Sequence, residues 1–157
     1  MKTLISISAL FLSLSLTAQT ANWYYNPTSG NGIQTNFSNS ASGSISIAMG
    51  LGTRASGQYS TAMGVETTAS GERSTAMGYS TAASGDYSTA VGLATKASDK
   101  SSLVVGQYNL LGSTVTNSAT EFSTENTALV IGNGTNSDNR SDALTVLFDG
   151  TTTIAGD

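Results

Sequence analysis

The side chains that run most enzyme chemistry are missing from this sequence, which holds no His and no Cys among its 157 residues. Without His there is no Ser-His or Cys-His pair to activate a nucleophile, and the commonest zinc ligand is gone. Carboxylates remain, and a pair flanking a sugar could in principle act as general acid and base. The chain has only ten Asp and Glu residues. Glu72 and Asp86 share one position of a repeat described below and Glu66 falls at another, which gathers no cluster of acids, so they read as solvated surface charges. Asp138, Asp142 and Asp149 could ligate calcium, yet the loop lacks an EF-hand pattern and the three read as loop acids. The expectation is a protein without catalytic, cofactor-binding or metal-binding residues, and not an enzyme.

Charge and the N-terminus narrow the partners. Met1 and Lys2 are followed by an apolar, Ser-rich run from Leu4 to Leu16 and then by Thr17-Ala18-Gln19-Thr20-Ala21. One positive residue, a short apolar region and small residues near a cut predict a secretory signal peptide over residues 1–20. Leu16 fits poorly at the third position before a cut after Ala18, so cleavage after Thr20 or Ala21 stays open. The run is too short for a bilayer, which needs about 20 apolar residues, so no transmembrane segment is expected in the mature chain. Losing Lys2 takes the formal charge from −4 to −5 and leaves Arg54, Arg73, Lys96, Lys100 and Arg140, well dispersed. Binding nucleic acid or anionic membrane requires a basic stripe, so neither is an expected partner. An exported chain without Cys has no disulfide framework, and its stability must come from packing and assembly.

What organises the chain is a period of fourteen residues. Aligned on Gly43, Gly57, Gly71 and Gly85, the blocks read GSISIAMGLGTRAS, GQYSTAMGVETTAS, GERSTAMGYSTAAS and GDYSTAVGLATKAS, and a fifth starting at Asp99 decays. A fixed short period marks a solenoid whose units contact only their neighbours. Within Ser60-Thr61-Ala62-Met63-Gly64 and its equivalents, alternation puts Ser, Ala and Gly on one face. The other face carries Ile47, Thr61, Thr75, Thr89 and Leu103 in one row and Met49, Met63, Met77, Val91 and Val105 in the next. A second, shorter strand follows, with unchanging Thr53-x-Ala55, Thr67-x-Ala69, Thr81-x-Ala83 and Thr95-x-Ala97 beside variable polar positions, and Ala-Ser-Gly turns close the coil. Period-two alternation and a Gly every seven residues, each costing about 1 kcal/mol in a helix interior, rule out a helix.

So narrow a coil has room inside only for the small residues, which leaves the Met/Val row outside. Burying each of its side chains is worth about 1.5–3 kcal/mol, and an exposed stripe of this kind marks an assembly surface. The competing arrangement puts Met63 and its equivalents inside, with Ala62 and Gly64 allowing close approach between chains; it too leaves a face for self-association.

These residues resemble the head repeats of trimeric autotransporter adhesins, typified by the Yersinia adhesin head. The pattern Ser-x-Ala-(Ile/Val/Met)-Gly with a small-residue second strand stands here at Ser60 to Gly64 with Thr67-x-Ala69-Ser70-Gly71, and again at Ser74 and Ser88. The likeness covers residues 36 to 106. It implies an all-β fold, a left-handed parallel β-roll of 14-residue coils in a homotrimer, and a surface head that adheres to matrix proteins, cells or other heads. The interface would be Ile47, Met49, Thr61, Met63, Thr75, Met77, Thr89, Val91, Leu103 and Val105. Variable outer positions Arg54, Tyr59, Glu66, Arg73, Tyr87 and Lys96 would face an extracellular protein, glycan or surface ligand. Residues 107–157 show no a/d pattern over several heptads, so the resemblance extends to the head and does not imply an autotransporter mechanism.

The expected organisation is a signal peptide at 1–20, an N-terminal cap at 21–35, the roll at 36–112 and a small C-terminal β segment at 113–157. The cap holds Asn22-Trp23-Tyr24-Tyr25-Asn26-Pro27, suited to covering strand edges of the first coil. The segment 116–126 reads as a loop. Asp149-Gly150 predicts a two-residue hairpin between Ala143–Phe148 and Thr151–Ala155. Residues 130–147 look like sequences that follow such heads in tail-fibre-like proteins. Stacked Thr residues, at 61, 75 and 89 and at 53, 67, 81 and 95, raise a second functional class, binding to ice or crystal surfaces.

Overall fold

The computed structural model of the chain describes residues 24–26 and 32–34 as backbone, and 38–111 and 119–155 in full. The expected signal peptide lies outside the described residues, as do Asn22, Trp23 and Pro27. All regular structure among the described residues is β. One sheet has ten strands in the order β1-β2-β4-β6-β8-β10-β12-β13-β14-β15, and the other has five in the order β11-β9-β7-β5-β3.

The coils stack as the period requires. In the long sheet, β4 (Ile47–Leu51), β6 (Thr61–Val65), β8 (Thr75–Tyr79), β10 (Thr89–Leu93) and β12 (Leu103–Gln107) run parallel. Their register sets Met49 beside Met63, Met63 beside Met77, Met77 beside Val91 and Val91 beside Val105. The short sheet is built from β3 (Ser40–Ala41), β5 (Arg54–Ala55), β7 (Thr68–Ala69), β9 (Ala82–Ala83) and β11 (Lys96–Ala97). Two sheets this close can interleave only Ala: Ala48, Ala62, Ala76 and Ala90 from one and Ala41, Ala55, Ala69 and Ala83 from the other are fully buried. This settles the orientation of the coil, with the small face inside and the Met/Val row outside. The buried Ser of the repeat closes the turn before it, as Ser46, Ser60 and Ser74 donate to the carbonyls of Gly43, Gly57 and Gly71 at 2.8, 2.7 and 2.7 Å. Thr53, Thr67, Thr81 and Thr95 are buried as well, and their hydroxyls find no partner inside the roll.

Both ends of the long sheet depart from the parallel rule. At one end β1 (Tyr24–Asn26) pairs antiparallel with β2 (Gly32–Gln34), and β2 pairs parallel with β4, setting Ile33 beside Ile47. At the other, β13 (Thr127–Asn133) pairs parallel with β12, setting Gly106 beside Gly132 after an interval of 26 residues instead of 14. The antiparallel strands β14 (Asp142–Leu147) and β15 (Thr152–Ile154) follow. The hairpin at Asp149-Gly150 has a three-residue loop, not the expected two. The Leu147 N–H donates to the Thr151 carbonyl at 2.8 Å and the Gly150 N–H to the Leu147 carbonyl at 3.1 Å, with Gly150 left-handed at φ 90°. That is a turn followed by a glycine bulge, which accommodates one residue more than the tightest hairpin.

Residues 119–122, ahead of β13, are pinned to the roll and to the end of β14. The Asp86 N–H donates to the Ala119 carbonyl at 2.7 Å, Lys100 Nζ to the Thr120 carbonyl at 2.9 Å, and the Phe122 ring meets Phe148 edge-on at 4.9 Å. Asp99 stands where earlier coils have Gly. A Cβ on Gly85 would sit 2.1 Å from the Asp99 carbonyl oxygen of the next coil, whereas Asp99 uses its side chain to accept the Thr127 N–H at 2.9 Å.

The short sheet stops at β11, and a side chain ends it. Asn109 follows Thr95 by one period; its Oδ1 accepts the Lys96 N–H at 2.7 Å and its Nδ2 donates to the Lys96 carbonyl at 3.0 Å. The amide thus stands in for the peptide group of the next strand. Asn39 does comparable work at the opposite end, accepting the Thr53 N–H at 2.9 Å. Asn109→Ala leaves a buried donor and acceptor unmatched and is expected to cost about 1–3 kcal/mol. Because solenoid units couple only to neighbours, hydrogen exchange should accelerate at Lys96 and stay unchanged at Ala62.

Candidate functional site

The ten interface residues expected from the sequence all lie on the outer face of the long sheet. In-phase parallel pairing places each side chain one strand spacing, about 4.8 Å, from its counterpart in the next coil. Most are half-buried by their neighbours, while Met77 and Leu103 remain 39% and 40% exposed. The sequence reading stopped at Val105, but the row goes on: β13 sets Ile131 beside Val105, β14 sets Leu144 beside Ile131, and β15 sets Ile154 beside Leu144. The second row likewise passes from Leu103 to Leu129 and Val146. A signal was present, since Leu129-Val130-Ile131-Gly132 repeats Leu103-Val104-Val105-Gly106, but the longer interval took it out of phase.

Of the six residues expected to face a ligand, three come together. Tyr59, Arg73 and Tyr87 occupy the same turn position in successive coils, each left-handed with φ of 58°, 55° and 60°. Their N–H groups donate to Ser44, Gln58 and Glu72 carbonyls of the preceding coil at 2.7–2.8 Å, which fixes the turn. The Arg73 guanidinium lies 5.2 Å from both ring centroids, donates to the Tyr87 hydroxyl at 2.9 Å and pairs with Glu72. Lys100 Nζ sits 5.7 Å from the Tyr87 centroid. Cations therefore sit against both rings within this column, while Tyr59 and Tyr87 stay exposed. The other three stand apart. Arg54 and Lys96 are exposed on the outer side of the short sheet, three coils from each other, and Glu66 is exposed at the opposite turn with φ 55°.

A cleft of about 220 Å³ opens at the end of the roll, where the short sheet has stopped and the long one continues. Val104, Val130 and Leu147 line it together with Asp99, Glu125 and Asp142. Among the described residues no cluster of three or more acids is placed to hold a metal ion. Burial pushes the Asp142 carboxyl above its ordinary value, against the lowering effect of the Leu110 N–H and the Thr145 hydroxyl. A raised carboxyl binds its proton more tightly in the folded chain, so its contribution favours folding at low pH and fades as pH rises through the folded value. Asp142→Asn keeps an acceptor for Leu110 and removes the buried charge. It is expected to raise the melting temperature slightly at pH 7, with the gain vanishing as pH falls below the ordinary carboxylate range; thermal denaturation across pH checks this.

No helix among the described residues is long and apolar enough to cross a membrane. Comparison with curated proteins and with solved structures returns no match. The family comparison does: residues 55–81 and 83–109 each match the YadA head domain repeat. Each matched stretch spans about two of the coils described above, with their buried Ala rows and outward Met/Val row, so this part of the β-solenoid carries two matches to the YadA head domain repeat.

Proposed function

We propose that the protein is an exported adhesin-type head that works as a homotrimer and attaches its bearer to an extracellular protein, a glycan or another surface. The observation that carries this reading is the uncharged apolar stripe, in register from coil to coil along the outside of the long sheet. Among the described residues nothing further lies over it, and covering what its five already half-buried Met and Val residues still expose is worth on the order of 3–6 kcal/mol per chain before entropic costs. The two matches to the YadA head domain repeat support the same reading, as does the secretory character of residues 1–20. Ligand contacts fall to the outward turns and the short sheet, including Tyr59, Arg73, Tyr87, Arg54, Glu66 and Lys96. Repeated along a stack and multiplied by three chains, individually weak contacts gain strength by avidity.

Binding to ice or crystals is the weaker reading. Thr53, Thr67, Thr81 and Thr95 are at most 1% exposed, so they cannot meet a lattice. Thr61, Thr75 and Thr89 are only half-exposed and stand beside the Met/Val row. The decisive measurement is the mass of the mature protein in solution across a dilution series. Three copies per particle agree with the proposal, and a well-folded monomer at all concentrations overturns it.

A further inference from the structure

The apolar stripe does not end where the head repeats end. The second family match stops at residue 109, yet strand pairing carries the Met49-to-Val105 row onward through Ile131, Leu144 and Ile154. Ile131 is 39% exposed and Ile154, on the free edge of the sheet, is 71% exposed. Leu129 and Val146 extend the adjoining row in the same way.

Extent and charge both bear on what covers this surface. Strands β4 to β12 offer a footprint of about 24 Å by 16 Å, or about 400 Å². That is half of the roughly 800 Å² per partner that a stable interface needs. Adding β13, β14 and β15 lengthens the face to about 38 Å and brings it to about 600 Å². The chain as a whole carries a formal charge of −4, so two copies repel in general. The outward positions of these strands, from Ile47 to Ile154, include no Asp, Glu, Lys or Arg. Identical faces can therefore approach without like charges meeting, whereas a charged partner would find nothing there to pair with.

We infer that the C-terminal strands β13–β15 form part of the contact with a second copy of this chain, continuing the roll's self-association face beyond the head repeats. The inference rests on the assembly proposed above. On this view the hairpin is a lock on the assembled head rather than an appendage to it.

Ile154→Asp tests the point, because the side chain is so exposed in one copy that folding of the chain does not depend on it. Thr153→Asp is the control: Thr153 pairs with Thr145, which lines the cleft on the opposite face. With the full mature chain in sedimentation equilibrium, Ile154→Asp is expected to raise the concentration at which the assembly dissociates by about tenfold or more, with Thr153→Asp near wild type. If wild type assembles and Ile154→Asp dissociates no more readily, the hairpin is outside the interface and the inference falls, while assembly through the roll stands. Equal weakening by Thr153→Asp would mean that hairpin integrity matters and not this face, which also overturns it. A monomeric wild type sinks both readings.

Discussion

Gly64→Ala is expected to destroy the folded roll. Gly64 has φ +116°, a backbone conformation that side-chain-bearing residues rarely adopt, and a Cβ built there would stand 2.0 Å from the carbonyl oxygen of Gly78 in the next coil. Neither atom can retreat, because both belong to backbones held at strand spacing by ladder hydrogen bonds on either side. The same close approach recurs from Gly50 to Gly64, from Gly78 to Gly92 and from Gly92 to Gly106, at 1.8–2.0 Å. Relief would require prising two coils apart in the middle of the stack, splitting a structure whose units hold only their neighbours. A cost above about 4–5 kcal/mol is expected, comparable to the whole stability of a small domain. Circular dichroism should show loss of the cooperative melt. Gly52→Ala is the informative companion: Gly52 has φ +65°, and a Cβ there would meet only Glu66, its side chain at 3.8 Å and its backbone N at 4.0 Å. Its counterparts Glu66, Ser80 and Ala94 already carry side chains at φ 51–55°. It should cost about 1–2 kcal/mol. A Gly64→Ala chain that melts like wild type would mean that the coils do not touch at this column.

The contrast between these two glycines explains how much of the molecule is legible in its sequence. Where every coil presses on the next, few residue types are tolerated per position, so the fourteen-residue period exposes the Ala interior, the outward Met/Val row and the turn glycines together. Tyr59, Arg73 and Tyr87 could be assigned to one turn for the same reason. That Arg73 fills the space between the two rings depends on left-handed backbone at all three, which Tyr and Arg do not announce. The period fails where the constraint is lifted. Once Asn109 has ended the short sheet, the chain from β12 to β13 no longer has to fit a closed coil, and its length is free to grow. Asp99, the first residue to break the glycine column, sits at that boundary. Ile131, Leu144 and Ile154 were missed for this reason, although Leu129 to Gly132 keep the strand's own motif.

The double substitution Met63→Asp with Met77→Asp is expected to dissociate the assembly while leaving each chain's interior intact. Met63 and Met77 are neighbours in the stripe, and both side chains point away from the Ala core. In a lone chain Met77 is 39% exposed and Met63 half-buried, so a carboxylate at either site can reach water. In the assembled head the situation reverses. Each Met loses about 0.5–1 kcal/mol, the burial of what it still exposes, and each new carboxylate would have to be desolvated with no cation in the stripe to pair with, a penalty of several kcal/mol more. The copies would also bring like charges together. Dissociation should therefore shift by more than a thousandfold, since about 4 kcal/mol already suffices for that. Sedimentation would read the change in mass, and circular dichroism would report whether the roll persists. Arg54→Asp changes charge on the far side of the coil, on the short sheet, and should leave the mass unchanged. If the double variant stays assembled at wild-type concentrations, the copies meet through another face. The short sheet would be the first place to look, and the outward Met/Val row would then need a partner other than this chain.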